Sequence, residues 1–304
     1  MAVTDTFSTS TPAPAVTTKK RFRLKRETVV DHVILILGAL FMLFPVVLTL
    51  MTSSYDNLAF ARSGLQFGWS DQFLENYERA MFETSGFTGQ IDGLSMLKNS
   101  LILGFGFAIG KIAISMLAAY AIVYFRFRFA TLSFWIIFTT LLLPLEVRIL
   151  PSYEVVQGLG MGNTYGGLII PLIASATGTF FFRQFFRSVP EELVEAARID
   201  GAGPVKFFID ILVPLSKTMI AALFIIMFVY GWNQYLWPTL ITTDEGMFTL
   251  VRGIKNIIQS FTDSSSVPEF TVGFALTMIT MLPPVLIVIF FQSWFVKGLT
   301  ESDK

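Results

Sequence analysis

LILGFGFAIGKIAISMLAAYAIVYF, residues 101–125, carries one charge, Lys111, in twenty-five positions. A helix of that length crosses the ~30 Å hydrocarbon core of a bilayer, so the stretch reads as a membrane span. Within it Gly106 and Gly110, then Ser115 and Ala119, pair small residues at four-residue spacing. In lipid this lets a second helix approach closely, and a packed bundle is expected. Residues 106–111 look superficially like a phosphate-cradling loop. However, only three residues separate the glycines, and Ile112 follows the lysine where Ser or Thr is required. No other segment supplies that motif, so the chain has no recognisable ATPase site of its own.

The rest of the sequence agrees with a bilayer setting. Its 304 residues are 53% hydrophobic and 15% aromatic but only 14% charged, with mean hydropathy +0.64, well below the charge of soluble domains. A soluble enzyme would leave large apolar patches exposed. Lys plus Arg and Asp plus Glu both number 22, which offers no net field for nucleic acid, and no such partner is expected. There is no cysteine, hence no disulfide, thiolate nucleophile or Cys-ligated metal. The single histidine, His32, stands beside Asp31 where an apolar run begins, an interfacial position poorly suited to a Ser/His/Asp triad.

Further apolar stretches at residues 33–51, 129–145, 166–182, 219–236 and 272–291 bring the expectation to six spans, an all-α membrane protein. Residues 1–18 are rich in Ser, Thr, Pro and Ala and read as disordered. Lys19, Lys20, Arg21, Arg23, Lys25 and Arg26 then anchor the first span on its inner side. The expected organisation is a disordered basic cytoplasmic tail over 1–30 and a transmembrane body over 31–304. With the amino terminus inside, inner segments hold fifteen of the 22 cations, which places both termini in the cytoplasm. That first span lacks a small-residue cleavage site and should remain uncleaved. Two outer segments have substance: residues 53–98, and 242–270, where Leu250, Ile254, Ile257 and Ile258 fall at helical spacing.

On the inner side, residues 186–217 hold Ser188-Val-Pro-Glu-Glu-Leu-Val-Glu-Ala-Ala-Arg-Ile-Asp-Gly201-Ala-Gly-Pro204. Ser188 with Glu191 makes a capping box, Pro190 suits a first turn, and Arg198 lies near the negative helix end. Gly201 supplies the left-handed stop. Pro204 opens a second helix, whose apolar Phe207, Phe208, Ile211, Leu212 and Leu215 lead toward the fifth span. The result is a bent amphipathic elbow. A membrane body with such an elbow and no motor of its own suggests a partner that has one.

Glu195-Ala196-Ala197, Gly201 four residues beyond, and Ile211, Val213 and Pro214 resemble the EAA-loop signature of ABC importer permeases; the usual Leu before Pro is Val213 here. The resemblance runs from about Asn99 to the carboxyl terminus, including 118–121 and 295–299, and is closest to MalG-like, binding-protein-dependent permeases of the MetI-like (type I) fold. Four strings look closest to the sn-glycerol-3-phosphate branch: residues 143–149, 174–177, 182–186 and 230–238. Typical sugar permeases are uncharged where this chain has Glu146 and Arg148.

The resemblance implies a multi-pass permease of the bacterial inner membrane, with a homologous second permease, a homodimeric ATPase subunit carrying ATP and Mg2+, and a periplasmic or extracellular solute-binding protein. Glu195, Ala196, Ala197, Gly201, Ile211 and Pro214 would dock in the ATPase, Ala196 and Ala197 permitting close approach, and residues 298–304 would reach between the ATPases. For the solute path the sequence offers Glu146 and Arg148 at an outer mouth. An Arg fork suits a phosphate monoester, although an ion pair fixing helix ends fits as well. Asn233 and Gln234 sit among Trp232, Tyr235 and Trp237, which also suit an interfacial aromatic belt; Lys111 either joins the path or pairs within the bundle. Import of oligosaccharides or polyols stays open. A self-sufficient secondary transporter would need internal repeats or ion-coupling carboxylates within its spans, and neither is visible. An intramembrane enzyme would have only Ser115 and Lys111 to work with.

Overall fold

The computed structural model describes residues 26–84, 90–125, 127–260 and 269–300, with no strand among them. Most of the basic tail, Arg126 and the last four residues lie outside that range, as do the side chains of Glu146 and of residues 295–300. The chain forms two compact units, residues 1–45 and 46–304. The first contains the start of α1 (Arg26–Thr52). The second continues with α2 (Asn57–Ser63), α3 (Phe73–Phe82), α4 (Gly93–Tyr124), α5 (Ala130–Thr139), α6 (Leu145–Gly158), α7 (Tyr165–Ile169), α8 (Ala176–Ser188), α9 (Glu191–Ile199), α10 (Pro204–Phe207), α11 (Val213–Leu215), α12 (Lys217–Trp232), α13 (Leu236–Ile241), α14 (Leu250–Ser260) and α15 (Phe270–Thr300).

Three helices are long and apolar enough to cross a bilayer unbroken: Val29–Thr52, Gly93–Tyr124 and Phe270–Trp294. Three bent pairs raise the number to six if each is one span. The stretch expected as a continuous span over 129–145 breaks by 108° between Ala130–Leu142 and Val147–Gly158. Pro144 is the cause: it forces Leu143 out of helical geometry, to ψ 107°, and itself takes ψ 154°. Tyr165–Leu172 and Ala176–Ser188 meet at 51°, and Pro204–Leu215 meets Lys217–Trp232 at 74°. The second of these bends sets the elbow across the axis of α12.

Helix α4 is the spine, packed against α8 on one side and α12 on another, with α12 resting in turn on α15. The small residues of the opening stretch make this possible. A Cβ at Gly106 would lie 2.5 Å from Ile169 Cδ1, and one at Gly110 2.5 Å from Ile173 Cγ2. Ser115 then donates to the Ser175 carbonyl at 3.2 Å, where Gly178 leaves room for it. Near its start α4 is tied to the loop before α14: Asn99 donates to the carbonyls of Gly246 and Phe248, both at 2.9 Å, and accepts from the Tyr165 hydroxyl at 2.6 Å.

Prolines inside apolar helices release carbonyls that lipid cannot satisfy. Pro284 has no N–H for the carbonyl of Thr280, four residues earlier, and the Trp232 indole donates to that oxygen at 3.2 Å. Pro171 likewise frees Gly167, and the Trp237 indole donates to the carbonyls of Gly167 and Leu168, both at 3.2 Å. Both tryptophans are therefore interior, 1% and 0% exposed, rather than members of an interfacial belt.

Residues 53–84 and 90–98 fold over the end of the bundle that also carries α14. Asn76 donates to the carbonyls of Ser53 and Tyr55 at 2.9 and 2.8 Å. Arg79 pairs with Glu269 at 2.5 Å and Glu83 at 3.2 Å. Burial pulls the Arg79 pKa down, but these carboxylates more than offset it, so the guanidinium is held above its usual value. The helix expected around Leu250 is present as α14, with Leu250 and Ile257 buried and Ile258 outward.

Candidate functional site

The elbow is shaped by backbone chemistry. Helix α9 ends in a paired-bond turn: the Gly201 amide donates to the Arg198 carbonyl at 3.0 Å and the Ala202 amide to Ala197 at 2.9 Å. That closure requires a left-handed residue, and Gly201 sits at φ +73°. Pro204 opens α10 at its first position, and a π-helical turn over Phe208–Leu212 carries the chain to α11. The capping box is not formed. Ser188 is the last residue of α8 and its hydroxyl donates back to Phe185 at 2.7 Å, while Pro190 takes the cap position of α9 without a side-chain bond. A hydroxyl at a helix end finds the free carbonyl behind it as readily as the amides ahead.

The six residues of the expected docking set come together on this elbow but face different ways. Glu195 and Ala196 are exposed, as are Gly201 and Pro214. Ala197 is 5% exposed and packs inward, and Ile211 is half-buried. Ala196 can thus meet a partner, whereas Ala197 is small because the elbow lies close on its own bundle. Behind it is a cavity of about 280 Å3 lined by Tyr120, Tyr124, Val194, Arg198 and Phe207. One hydroxyl of α4 crosses this gap to the elbow and a second bonds the end of α8. Tyr120 donates to the Pro204 carbonyl at 2.9 Å and Tyr124 to Phe186 at 3.2 Å. The sequence reading missed this role, although it quoted Tyr120 in the 118–121 string.

A second cavity, of about 240 Å3, opens where α4, α6, α8 and α12 converge. Lys111 and Arg148 both line it, with Thr140, Ser175, Thr177 and Tyr230. Lys111 is 9% exposed, its ammonium 4.3 Å from the Phe107 ring centre and 5.1 Å from that of Tyr230. Among the described side chains no carboxylate pairs with either cation. Asn233 and Gln234 line an adjoining cavity of about 540 Å3, which shares Ile226 and Tyr230 with the Lys111 cavity. Asn233 is exposed and Gln234 8% exposed, and each also donates within α12, to Val229 at 3.0 Å and to Tyr230 at 3.3 Å. The sequence did not single out Ser175, Thr177 and Tyr230 as lining residues, although they stand in the 174–177 and 230–238 strings. Among the described residues no three His, Cys, Asp or Glu side chains gather as a metal site.

Residues 110–301 match the family model described as "Binding-protein-dependent transport system inner membrane component". The chain is 47% identical over 281 residues to the "sn-glycerol-3-phosphate transport system permease protein UgpE" of Brucella melitensis biotype 1, covering 91% of this chain and 98% of that protein. It is 48% identical over 273 residues to the protein of the same name from Yersinia enterocolitica, covering 90% and 96%. In fold it resembles a chain of a bacterial ABC transporter involved in import of the acidic polysaccharide alginate, with TM-score 0.74 at 21% identity over 90% of this chain and 99% of that one. A family model that matches residues 110–301, near-half identity over nine-tenths of its length and several helices long and apolar enough to cross a bilayer place the chain in the family of binding-protein-dependent transport system inner membrane components, as a multi-pass ABC permease.

Proposed function

We propose that this chain is the permease subunit of an ATP-driven importer that carries sn-glycerol-3-phosphate across a bacterial inner membrane. The observation that carries the reading is the near-half identity, over almost the whole chain, to permeases of sn-glycerol-3-phosphate transport systems. It pairs with a homologous permease, stands on two copies of an ATPase subunit that bind ATP and Mg2+, and receives solute from an external binding protein. Both termini lie in the cytoplasm, in keeping with the excess of Lys and Arg on the segments that share the elbow's side.

The elbow transmits the work. Exposed Glu195 and Ala196 enter the ATPase cleft, Gly201 fixes the angle between the two arms, Ile211 holds the second arm against the bundle, and exposed Pro214 adds to the docking surface. ATP drives the switch by its different affinity for the two arrangements of the ATPase pair, as any population shift requires. Tyr120 ties the elbow to α4 through the Pro204 carbonyl, and Tyr124 ties α4 to the end of α8 that leads into the elbow, so displacement of the elbow moves the spine. The solute path runs past Arg148 and Lys111 and past Tyr230 of α12 and the Asn233 and Gln234 that follow it; Glu146, on the same helix as Arg148, orients the solute at the mouth.

Purification in mild detergent should bring down the second permease and the ATPase. Vesicles holding that complex, supplied with its binding protein, ATP and Mg2+, should accumulate radiolabelled sn-glycerol-3-phosphate in preference to a disaccharide. Accumulation of the disaccharide instead would move the chain to the sugar branch.

A further inference from the structure

Lys111 poses a problem of charge. It sits in the middle of α4, nine-tenths buried, with two aromatic rings beside it and no described carboxylate in reach. Arg148, across the same cavity, repels it rather than compensating it. A cation buried in a membrane body without a counter-ion is costly, and such residues mark pathways for ions or charged solutes. A third positive contribution comes from the backbone. Helix α8, thirteen residues long, begins at this cavity, with Ala174, Ser175, Ala176 and Thr177 in its wall. Ser175 caps the Gly178 amide at 3.2 Å, while the amides of Ala176 and Thr177 belong to the first turn that no intrahelical carbonyl can satisfy. The Thr177 hydroxyl adds a neutral donor.

We infer that this cavity is an anion seat in which Lys111, Arg148 and the first turn of α8 hold the phosphate of the travelling solute. The inference rests on the sn-glycerol-3-phosphate reading and deepens it by assigning the phosphate end to residues of this chain. The parts divide the work by geometry. Lys111 is a point charge deep in the seat, Arg148 is a planar fork on its exposed side that takes two oxygens at once, and the helix terminus supplies directed N–H donors. A phosphate monoester carries between one and a half and two negative charges near neutral pH, which the two side-chain cations match. A neutral sugar would leave both unpaired, so the seat discriminates against it by withholding compensation. The glycerol end falls toward Tyr230, where the adjoining cavity presents Asn233 and Gln234 to hydroxyl groups.

The test uses the complete reconstituted complex with loaded binding protein. Lys111→Gln and Arg148→Gln should each lower the maximal uptake rate of radiolabelled sn-glycerol-3-phosphate by about tenfold or more, tenfold being the lower end of what one charge-assisted hydrogen bond contributes. Lys111→Arg should restore most of it, whereas Arg148→Lys should restore little because the fork is lost. Stimulation of the ATPase by the binding protein and the yield of assembled complex should stay near wild type. Unchanged uptake in both neutral variants overturns the seat. So does a parallel loss of uptake, stimulation and assembly, which would make the cations structural. Rescue of Lys111→Gln by a second change, Glu146→Gln, would also overturn it by revealing a mutual ion pair. A wild-type complex that imports some other solute instead refutes the parent reading, and is recognised before any variant is made.

Discussion

The elbow and the anion seat are built on opposite principles. The bonds that shape the elbow join residues at most five positions apart, Gly201 to Arg198 and Ala202 to Ala197, and Pro204 restarts the helix three residues later. The seat takes Lys111 from α4, Arg148 from α6, Thr177 from α8 and Tyr230 from α12. A device made of local backbone chemistry keeps its shape wherever the chain places it. One made of four helices exists only while all four pack.

If this contrast is correct, the two regions fail differently. The largest effect belongs to Gly201→Asp. A Cβ would meet nothing within 4 Å there, so the damage comes from the left-handed conformation, at roughly 1 kcal/mol, and from a charge placed on the face we propose to dock. Insertion should remain normal while binding-protein-stimulated ATP hydrolysis disappears; full stimulation would remove the elbow from its docking role. Gly110→Leu strikes the non-local region, putting a side chain where Ile173 already sits, an overpacking cost of about 1–3 kcal/mol. Uptake per assembled complex should drop several-fold with stimulation largely retained, and an equal loss of both would mean that the regions are not separable. Tyr120→Phe is the mildest. It deletes the bond to the Pro204 carbonyl, worth about 1 kcal/mol, and should raise the ATP consumed per solute imported by a factor of two or three. An unchanged ratio would show that the link between elbow and spine runs elsewhere.

The same contrast governs what could be read before the fold was known. Gly201 and Pro204 declare their conformations through their own covalent structure, and the bend they make is the bend observed. The apolar runs likewise announced the spans, and Gly106 and Gly110 the close approach they permit. Ser188 was ambiguous because its hydroxyl can serve either helix it adjoins, and packing chose α8. Pro144 shows a different limit: the apolar run passes straight through it, so composition indicates one span where backbone geometry makes a corner. Lys111 and Arg148 stand out as charges, but nothing in either local sequence says that they share a cavity. The tryptophans were misread because indole suits a membrane interface as well as a buried carbonyl, and only the prolines on the facing helices decide between them.

Those tryptophans constrain how the body can change shape. Trp232 joins α12 to α15 through an oxygen that Pro284 releases, and Trp237 joins α13 to α7 through one that Pro171 releases. Sliding either pair apart would strand a carbonyl in hydrocarbon at a cost of several kcal/mol, so each pair travels as one piece. Along the chain, residues 233–235 join α12 directly to α13. That three-residue seam carries the same Asn233 and Gln234 that we propose for the solute path.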